Sequence, residues 1–447
     1  MQEMVPKRVI QASRRRFHQF LENDASGGIL LIVCTIIALL WANSAFHYTY
    51  EHLWHTEIAL KVGSFEVGMH LLHWVNDGLM AIFFFVVGLE IKREVIAGEL
   101  SSMRKAALPA LGALGGMILP ALLFSALTIG KDGAQGWGIP MATDIAFSLG
   151  ILSLLGKRVP LSLKIFLVAL AIVDDLGAIM VIAIFYSSNL QLEYLMQALA
   201  LISLLLILNW MRVRKPWVYV VIGTVVWYFF LKSGIHATIA GVLVAFTVPV
   251  RRNLMTNEFN DHVDKFNMCD DCATSYTLPD QEIHKLDNLK RQIKMVQSPA
   301  QRIEHMMHKM VNYFIMPVFA LGNAGVVLDG SNMGPYGYLS LSVALALFVG
   351  KALGITLLSW GGVKIGLAEL PQNIKWSHMF GVAILGGLGF TMSLFISNLA
   401  YFDLSMLNAA KLGVLGGSLV AGVVGYLLLS RILPRPKNEE FSYPVEP

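Results

Sequence analysis

A chain of 447 residues that is 55% hydrophobic and only 14% charged is not an ordinary soluble protein, since soluble domains carry about a quarter charged residues. Its mean hydropathy is +0.61, and apolar runs of about twenty residues, each long enough to cross a bilayer as a helix, recur along its length. The net charge of +4 is spread over short loops, which gives no basis for nucleic-acid binding, and three cysteines (Cys34, Cys269, Cys272) do not make a disulfide framework.

In chain order, residues 1–24 form a basic, loosely amphipathic cytoplasmic segment. It lacks the apolar core and small-residue site of a cleavable signal, and it reads as a solvated tail that sets orientation rather than as a membrane-surface helix. Residues 25–432 form the transmembrane domain. The apolar runs predict about twelve spans, centred on 26–43, 70–91, 106–128, 134–155, 161–187, 193–211, 217–231, 234–249, 305–327, 339–360, 377–401 and 406–431. Before the second span, "TEIALKVGSFEVGM" alternates apolar residues around "GS", which predicts a hairpin over 55–69 on the extracytoplasmic side. The fourth and eleventh spans are rich in glycine, threonine and polar atoms. The seventh and eighth are short, joined by "LKSGIH". Residues 251–300 form a long polar cytoplasmic loop, expected to be partly disordered and then helical into the ninth span. Its "CDDC" at 269–272 invites a metal reading with His262 or His284, but one CxxC without a second pair is weak, and a solvated insertion is expected. Residues 433–447 are a cytoplasmic tail.

Orientation follows from lysine and arginine in the short loops. One set of loops holds "IKRE", "MRK", "GKR", "RVRK", "RR", Lys364, Lys375 and "RILPRPK". The main cations of the opposite set are Lys61, Lys131 and Lys232. The basic set includes both termini, which places both in the cytoplasm, and an even number of spans agrees.

An ionisable residue near mid-membrane costs at least about 2.5–3.5 kcal/mol on insertion scales, so each one requires a reason. The candidates are Asp77, Asp144, Asp174, Asp175 and Lys351. Asp144 lies in "IPMATDIAFSLGIL", after Thr143 and between Pro140 and Gly150, which predicts a helix broken near its middle. The counterpart is "ILGGLGFTMSLFI" (384–396), with Gly386, Gly387, Gly389 and Thr391. Close glycine packing would explain either segment alone. Two interrupted segments, one in each half and one bearing a carboxylate, point to a transport site.

Asp174 and Asp175 are neighbours, so on a helix they point about 100° apart. One can face an ion while the other reaches a different partner, and their spacing alone leaves open which does which. The obvious partner is Lys351 in "FVGKALGI", the only charge between 331 and 363. Such a buried pair is also a plausible structural tie. A second adjacent carboxylate plus Asp144 leaves negative charge that only a cation or protons can neutralise. Burial and like-charge proximity penalise the charged form of a carboxyl group, so protons compete with a small hard cation for oxygen ligands. Two ions competing for one site is the logic of an antiporter.

The stretches "TDIAFSLGILSLLGKRVPLSLKIFLVALAIVDDLGAI", "LKSGIHATIAGV", "DASGGILL", "FFFVVGLEIKRE" and "GGLGFTMSLFI" closely resemble the NhaA family of bacterial sodium/proton antiporters, over nearly all of 20–250 and 300–431. That family is itself a known example of inverted repeats with broken helices, so the resemblance and the broken-helix reading are not independent. The resemblance implies an all-α membrane protein of the bacterial inner membrane. It would have about twelve transmembrane helices, inverted-topology repeats and two interrupted helices crossing at mid-membrane. It implies electrogenic, pH-regulated exchange of sodium or lithium for protons by alternating access, serving sodium and pH homeostasis, with no cofactor and no enzymatic reaction. Asp144 and Asp175 would hold the cation beside Thr143. Asp174 would pair with Lys351 and share in proton carriage, and Asp77 would be an accessory intramembrane residue. A cytoplasmic pH-sensing cluster would comprise Glu90, Arg93 and Glu94 in "GLEIKRE" with Arg302, Glu304, His305 and His308 in "QRIEHMMH"; a solvated charged face at helix ends is the plainer account of these. His236 would be structural or modulatory. A homodimer would form through the 56–69 hairpin. The 251–300 loop departs from the short link usual in the family.

Two other classes fit less well. An intramembrane aspartyl protease also needs two buried aspartates, but "MATD" and "IVDD" do not match its "GxGD" motif, and the "PAL" of "LPALG" at 108–112 precedes both. A sodium channel is disfavoured because a charged lysine in the core hinders cation permeation.

Overall fold

The computed structural model describes residues 25–62, 65–187, 190–251, 259–260, 263, 277–327, 336–371 and 374–434. The readings made for residues 1–24, for the CxxC with His262, and for residues 435–447 lie outside these. Apart from one two-stranded hairpin, the described secondary structure is helical. Among the described residues six helices are long and apolar enough to cross a bilayer, and three bent pairs raise this to nine if each counts as one span. The chain divides into two compact units: Met1–Met80, Glu94–Ser187 and Val311–Pro447 form one, Ala81–Arg93 and Ser188–Met310 the other.

The first unit opens with α1 (Ala25–Ala42) and α2 (His47–His55). Strands β1 (Glu57–Val62) and β2 (Phe65–His70) follow, paired antiparallel from Glu57 opposite His70 to Val62 opposite Phe65. The Leu71 N–H donates to the Thr56 carbonyl at 2.9 Å, and the Trp74 indole to the Ile58 carbonyl at 3.0 Å, tying the hairpin to the helix after it. That helix starts with a short α turn (Leu71–His73), passes through a π turn (Trp74–Leu79) and continues as α3 (Met80–Ala97), whose residues belong in part to each unit. Next come α4 (Met103–Leu127), a 3-10 arm (Ala134–Met141), α5 (Ile145–Leu154) and α6 (Leu161–Phe185). Pro160 precedes α6, where its fixed φ and missing N–H suit a helix start.

The most apolar stretch of α6 is 67% buried, against 11% for α7 (Leu192–Trp210) in the second unit. α6 is therefore a central helix, whereas α7 turns Leu199, Leu204, Leu206 and Ile207 outward. In the second unit α7 packs on α8 (Pro216–Ser233) and both meet α9 (Ala237–Thr247). Pro216 opens α8, and Gly234, at φ +82°, ends it in the left-handed conformation that glycine tolerates. α10 (Asp280–Val296) and α11 (Pro299–Met310) complete this unit; His284 stands exposed on α10.

The first unit resumes with a π turn (Val311–Ile315) and α12 (Met316–Asn323). One long span follows, made of α13 (Gly337–Leu345), a π turn (Ala346–Gly350) and α14 (Lys351–Lys364). Then come α15 (Trp376–Leu385), α16 (Phe390–Ala400) and α17 (Leu404–Ile432), the last capped by the Asp403 carboxylate. A core of Leu108, Leu163, Phe166, Leu170, Ile355 and Leu385 joins α4, α6, α14 and α15. α4 and α14 touch backbone to backbone. A Cβ on Gly115 would lie 2.0 Å from the Gly354 carbonyl oxygen, and one on Gly354 would lie 2.1 Å from that of Gly115, so only glycine fits at either place.

Candidate functional site

Two of the three bent pairs meet at their breaks, and the broken ends satisfy each other. The 3-10 arm and α5 are bent by 41° about residues 142–144, and α15 and α16 by 47° about residues 386–389. A helix end frees backbone groups that have no water to bond in a membrane interior. Here the Asp144 N–H donates to the Leu388 carbonyl at 2.6 Å, the Thr143 hydroxyl to the Gly386 carbonyl at 2.9 Å, and the Ser148 hydroxyl to the Leu385 carbonyl at 3.0 Å.

Asp144 caps both half-helices that start at the breaks. Its Oδ1 accepts the Phe147 N–H of α5 at 3.0 Å; its Oδ2 accepts the Thr391 N–H of α16 at 3.1 Å and the Thr391 hydroxyl at 2.5 Å. A carboxylate is the favoured N-cap because it meets orphan N–H donors. Two N-termini, each equivalent to about half a positive charge, thus converge on one carboxyl group. The sequence places Thr391 in the interrupted segment, but threonine inside an apolar helix usually bonds its own backbone, so nothing local signals its contact with Asp144.

Lys351 delivers its ammonium to this crossing from the first residue of α14. Nζ lies 2.5 Å from Asp174 Oδ2 on α6 and donates to the Thr143 hydroxyl at 2.6 Å. Thr143 thus joins the ion pair to the break. Asp144, Asp174 and Asp175 are each 1% exposed and Lys351 is 0% exposed. Asp175 is the next residue along α6 and is equally buried. Asp144, Thr143, Asp174 and Lys351 therefore form one connected group. Asp77 is elsewhere, on the π turn that opens the second span.

The second unit holds a cavity of about 580 Å³ lined by Glu90, Arg93, Val296, Gln297, Gln301, Glu304, His305 and His308. Arg93 pairs with Glu304, and His308 Nδ1 lies 3.6 Å from Glu90 Oε1. Glu94 and Arg302 are not among the lining residues; the Glu94 carboxylate accepts the Glu99 N–H at 3.0 Å, at the end of its own helix. Val296, Gln297 and Gln301 join the lining without having been singled out. His236 precedes α9, its Nδ1 at 3.3 Å from the Thr238 hydroxyl.

Long apolar helices, two broken spans and a buried charged group at the breaks define a helical membrane protein of the interrupted-span class. Within that class the family described as Na+/H+ antiporter 1 matches residues 18–429, and the chain belongs to it. The chain is 47% identical over 429 residues to the Na(+)/H(+) antiporter NhaA of Oleidesulfovibrio alaskensis, covering 95% of each chain. It is 45% identical over 432 residues to the Na(+)/H(+) antiporter NhaA of Bacteroides fragilis, covering 94% of this chain and 99% of the relative. With the Na(+)/H(+) antiporter NhaA of Proteus mirabilis it shares 45% identity over 426 residues, 94% of this chain and 98% of the relative.

Proposed function

We propose that this chain exchanges sodium for protons across the bacterial inner membrane, the exchange for which its relatives are named. The observation that carries the reading is a buried Asp174–Lys351 ion pair, bonded through Thr143 to the place where two interrupted spans cross-bond around a buried Asp144, with Asp175 buried next to Asp174 in sequence. Lys351 balances one carboxylate and the two half-helix N-termini support another. The remaining negative charge is met by a cation or by protons. Asp144 and Asp175 hold sodium or lithium with help from Thr143; Asp174 is tied to Lys351 and shares in proton carriage. Carboxylate, hydroxyl and carbonyl oxygens suit a small hard cation. Exchange is electrogenic, as the family resemblance implies. Access alternates between the two membrane faces around the fixed site.

In this reading the chain folds as about twelve spans in two inverted repeats, with the fourth and eleventh spans as counterparts. Both termini, the 251–300 segment and the 433–447 tail are cytoplasmic. The cavity of Glu90, Arg93, Glu304, His305 and His308 lies at the cytoplasmic mouth, with Glu94 and Arg302 nearby in sequence, and it is the pH-sensing cluster, histidine being the residue type whose unperturbed charge change falls near physiological pH. His236 is modulatory and Asp77 accessory.

The test is proton flux in proteoliposomes holding a proton gradient. Added sodium or lithium should collapse the gradient and shift a potential-sensitive dye. Absence of sodium-dependent flux from correctly inserted protein would remove the reading.

The hairpin is proposed to join two protomers. A lone two-stranded hairpin is marginal in water, and each strand keeps an edge able to pair with another chain. Deleting residues 58–65 should weaken dimerisation in native mass measurement while exchange survives in the monomer. An unchanged dimer removes the hairpin from the interface, and total loss of exchange in a folded monomer means that the site is shared between subunits.

A further inference from the structure

Three phenols from three spans close on the entrance to the fourth span. Tyr186, directly after α6, donates its hydroxyl to the Gln135 carbonyl at 2.8 Å. Tyr338, at the start of α13, donates to the Asp132 carbonyl at 2.6 Å, and Tyr401, directly after α16, donates to the Gly133 carbonyl at 2.6 Å. These carbonyls stand at the head of the 3-10 arm Ala134–Met141, whose far end is the break holding Thr143 and Asp144. The local sequence "DGAQGWG" makes room for them. A Cβ on Gly136 would lie 1.9 Å from the Tyr401 phenolic oxygen, and one on Gly138 would lie 2.9 Å from that of Tyr186.

Each tyrosine rides on a span that also brings a partner to the break. Tyr186 ends the helix carrying Asp174 and Asp175. Tyr338 begins the span carrying Lys351, and Tyr401 ends the half-helix carrying Thr391. At 1.5 Å per residue the phenols lie about 15–20 Å along the helices from those groups. An anchor is needed at this place because the arm is an eight-residue 3-10 helix, and such helices are poorly bonded and uncommon beyond about 3–4 residues. Its far end is held by bonds within the site itself, which the ion must disturb.

We infer that Tyr186, Tyr338 and Tyr401 form a clamp that positions the arm bearing Thr143 and Asp144 against the three spans supplying Asp174, Asp175, Lys351 and Thr391, and so sets how tightly the site holds its cation. This rests on the exchange reading above. The tyrosines are positioning residues: they touch neither the ion nor the carboxylates, and they act by fixing the arm to within the fraction of an ångström that a binding site demands.

The test uses the full-length protein with all three tyrosines changed to phenylalanine, which removes only the hydroxyls. In proteoliposomes the apparent KM for sodium should rise about tenfold, a change equal to one or two net hydrogen bonds, while the maximal rate stays within about twofold. In detergent, about ten times more sodium should be needed for the same sodium-dependent thermal stabilisation. An unchanged sodium requirement in both assays overturns the clamp, and so does a lower melting temperature with unchanged sodium dependence, which is the signature of a purely structural role. If the triple variant cannot be recovered, Tyr401→Phe alone is read the same way, with a rise of about threefold expected and no rise overturning the inference. The detergent assay needs no flux. Wild-type vesicles without sodium-dependent proton movement would therefore count against the exchange reading, separately from the clamp.

Discussion

Asp144→Asn and Asp175→Asn should each abolish sodium-driven proton movement while leaving the protein in the membrane. Asparagine keeps the size of aspartate but loses the charge that a cation or proton must neutralise. At Asp144 the change is also geometric. Both oxygens accept hydrogen bonds, from Phe147 on one side and from Thr391 on the other. An amide offers one oxygen and one NH2, so one half-helix N-terminus would face a donor instead of an acceptor. A buried polar group left unmatched costs about 1–3 kcal/mol, so Asp144→Asn should also lose stability. The measurements are proton flux on sodium addition and sodium-dependent thermal stabilisation, with membrane abundance as the control. Near-normal exchange in either variant would refute that residue's place in the ion site.

Lys351→Ala should damage stability more than it abolishes cation binding. Its ammonium is wholly buried against Asp174 and Thr143. Removing one member of a buried ion pair leaves the other uncompensated, at about 3–5 kcal/mol. That loss should depend on pH with a definite sign. A carboxylic acid that carries its proton needs no counter-charge, so the folded variant is stable when Asp174 holds a proton and suffers when it does not. The folded variant then binds a proton that the unfolded chain, with an ordinary aspartate near about 3.9, has already released. Stability must fall as pH rises above that value, by up to about 1.4 kcal/mol per pH unit for one proton. Thermal unfolding in detergent across pH is the measurement. A loss independent of pH, or no loss, would break the assignment of Lys351 to Asp174.

The charged group was legible in sequence because each member violates the same rule. A carboxylate or ammonium in an apolar run is expensive, and a chain with few of them invites pairing, which matches Lys351 to the Asp174–Asp175 pair; that the partner is Asp174, 177 positions away, came only from the family resemblance. The breaks were legible from Pro140 and the glycines at 386, 387 and 389. The cross-bonding of the breaks was not. Asp144 and Thr391 are 247 positions apart, and nothing local distinguishes a threonine that caps a distant carboxylate from one that bonds its own helix. The π turns, one holding Asp77 and one ending beside Lys351, also lacked a signal, since they arise from packing rather than from residue type. On α3, Glu90, Arg93 and Glu94 have helical spacings that permit one cluster; their geometry puts the first two on the cavity and turns Glu94 to the Glu99 N–H.

The glycine contact between α4 and α14 carries a further consequence. Ordinary helices meet through a layer of side chains that can change rotamer and let one helix slide past the other. At Gly115 and Gly354 that layer is missing, and the Cα of each glycine faces the carbonyl oxygen of the other. Slippage there would drive main chain through main chain, so the two helices behave as a welded beam. Lys351 sits less than one turn from the weld. Its depth in the bilayer is therefore gauged from α4, and any motion that carries the ammonium carries both helices together.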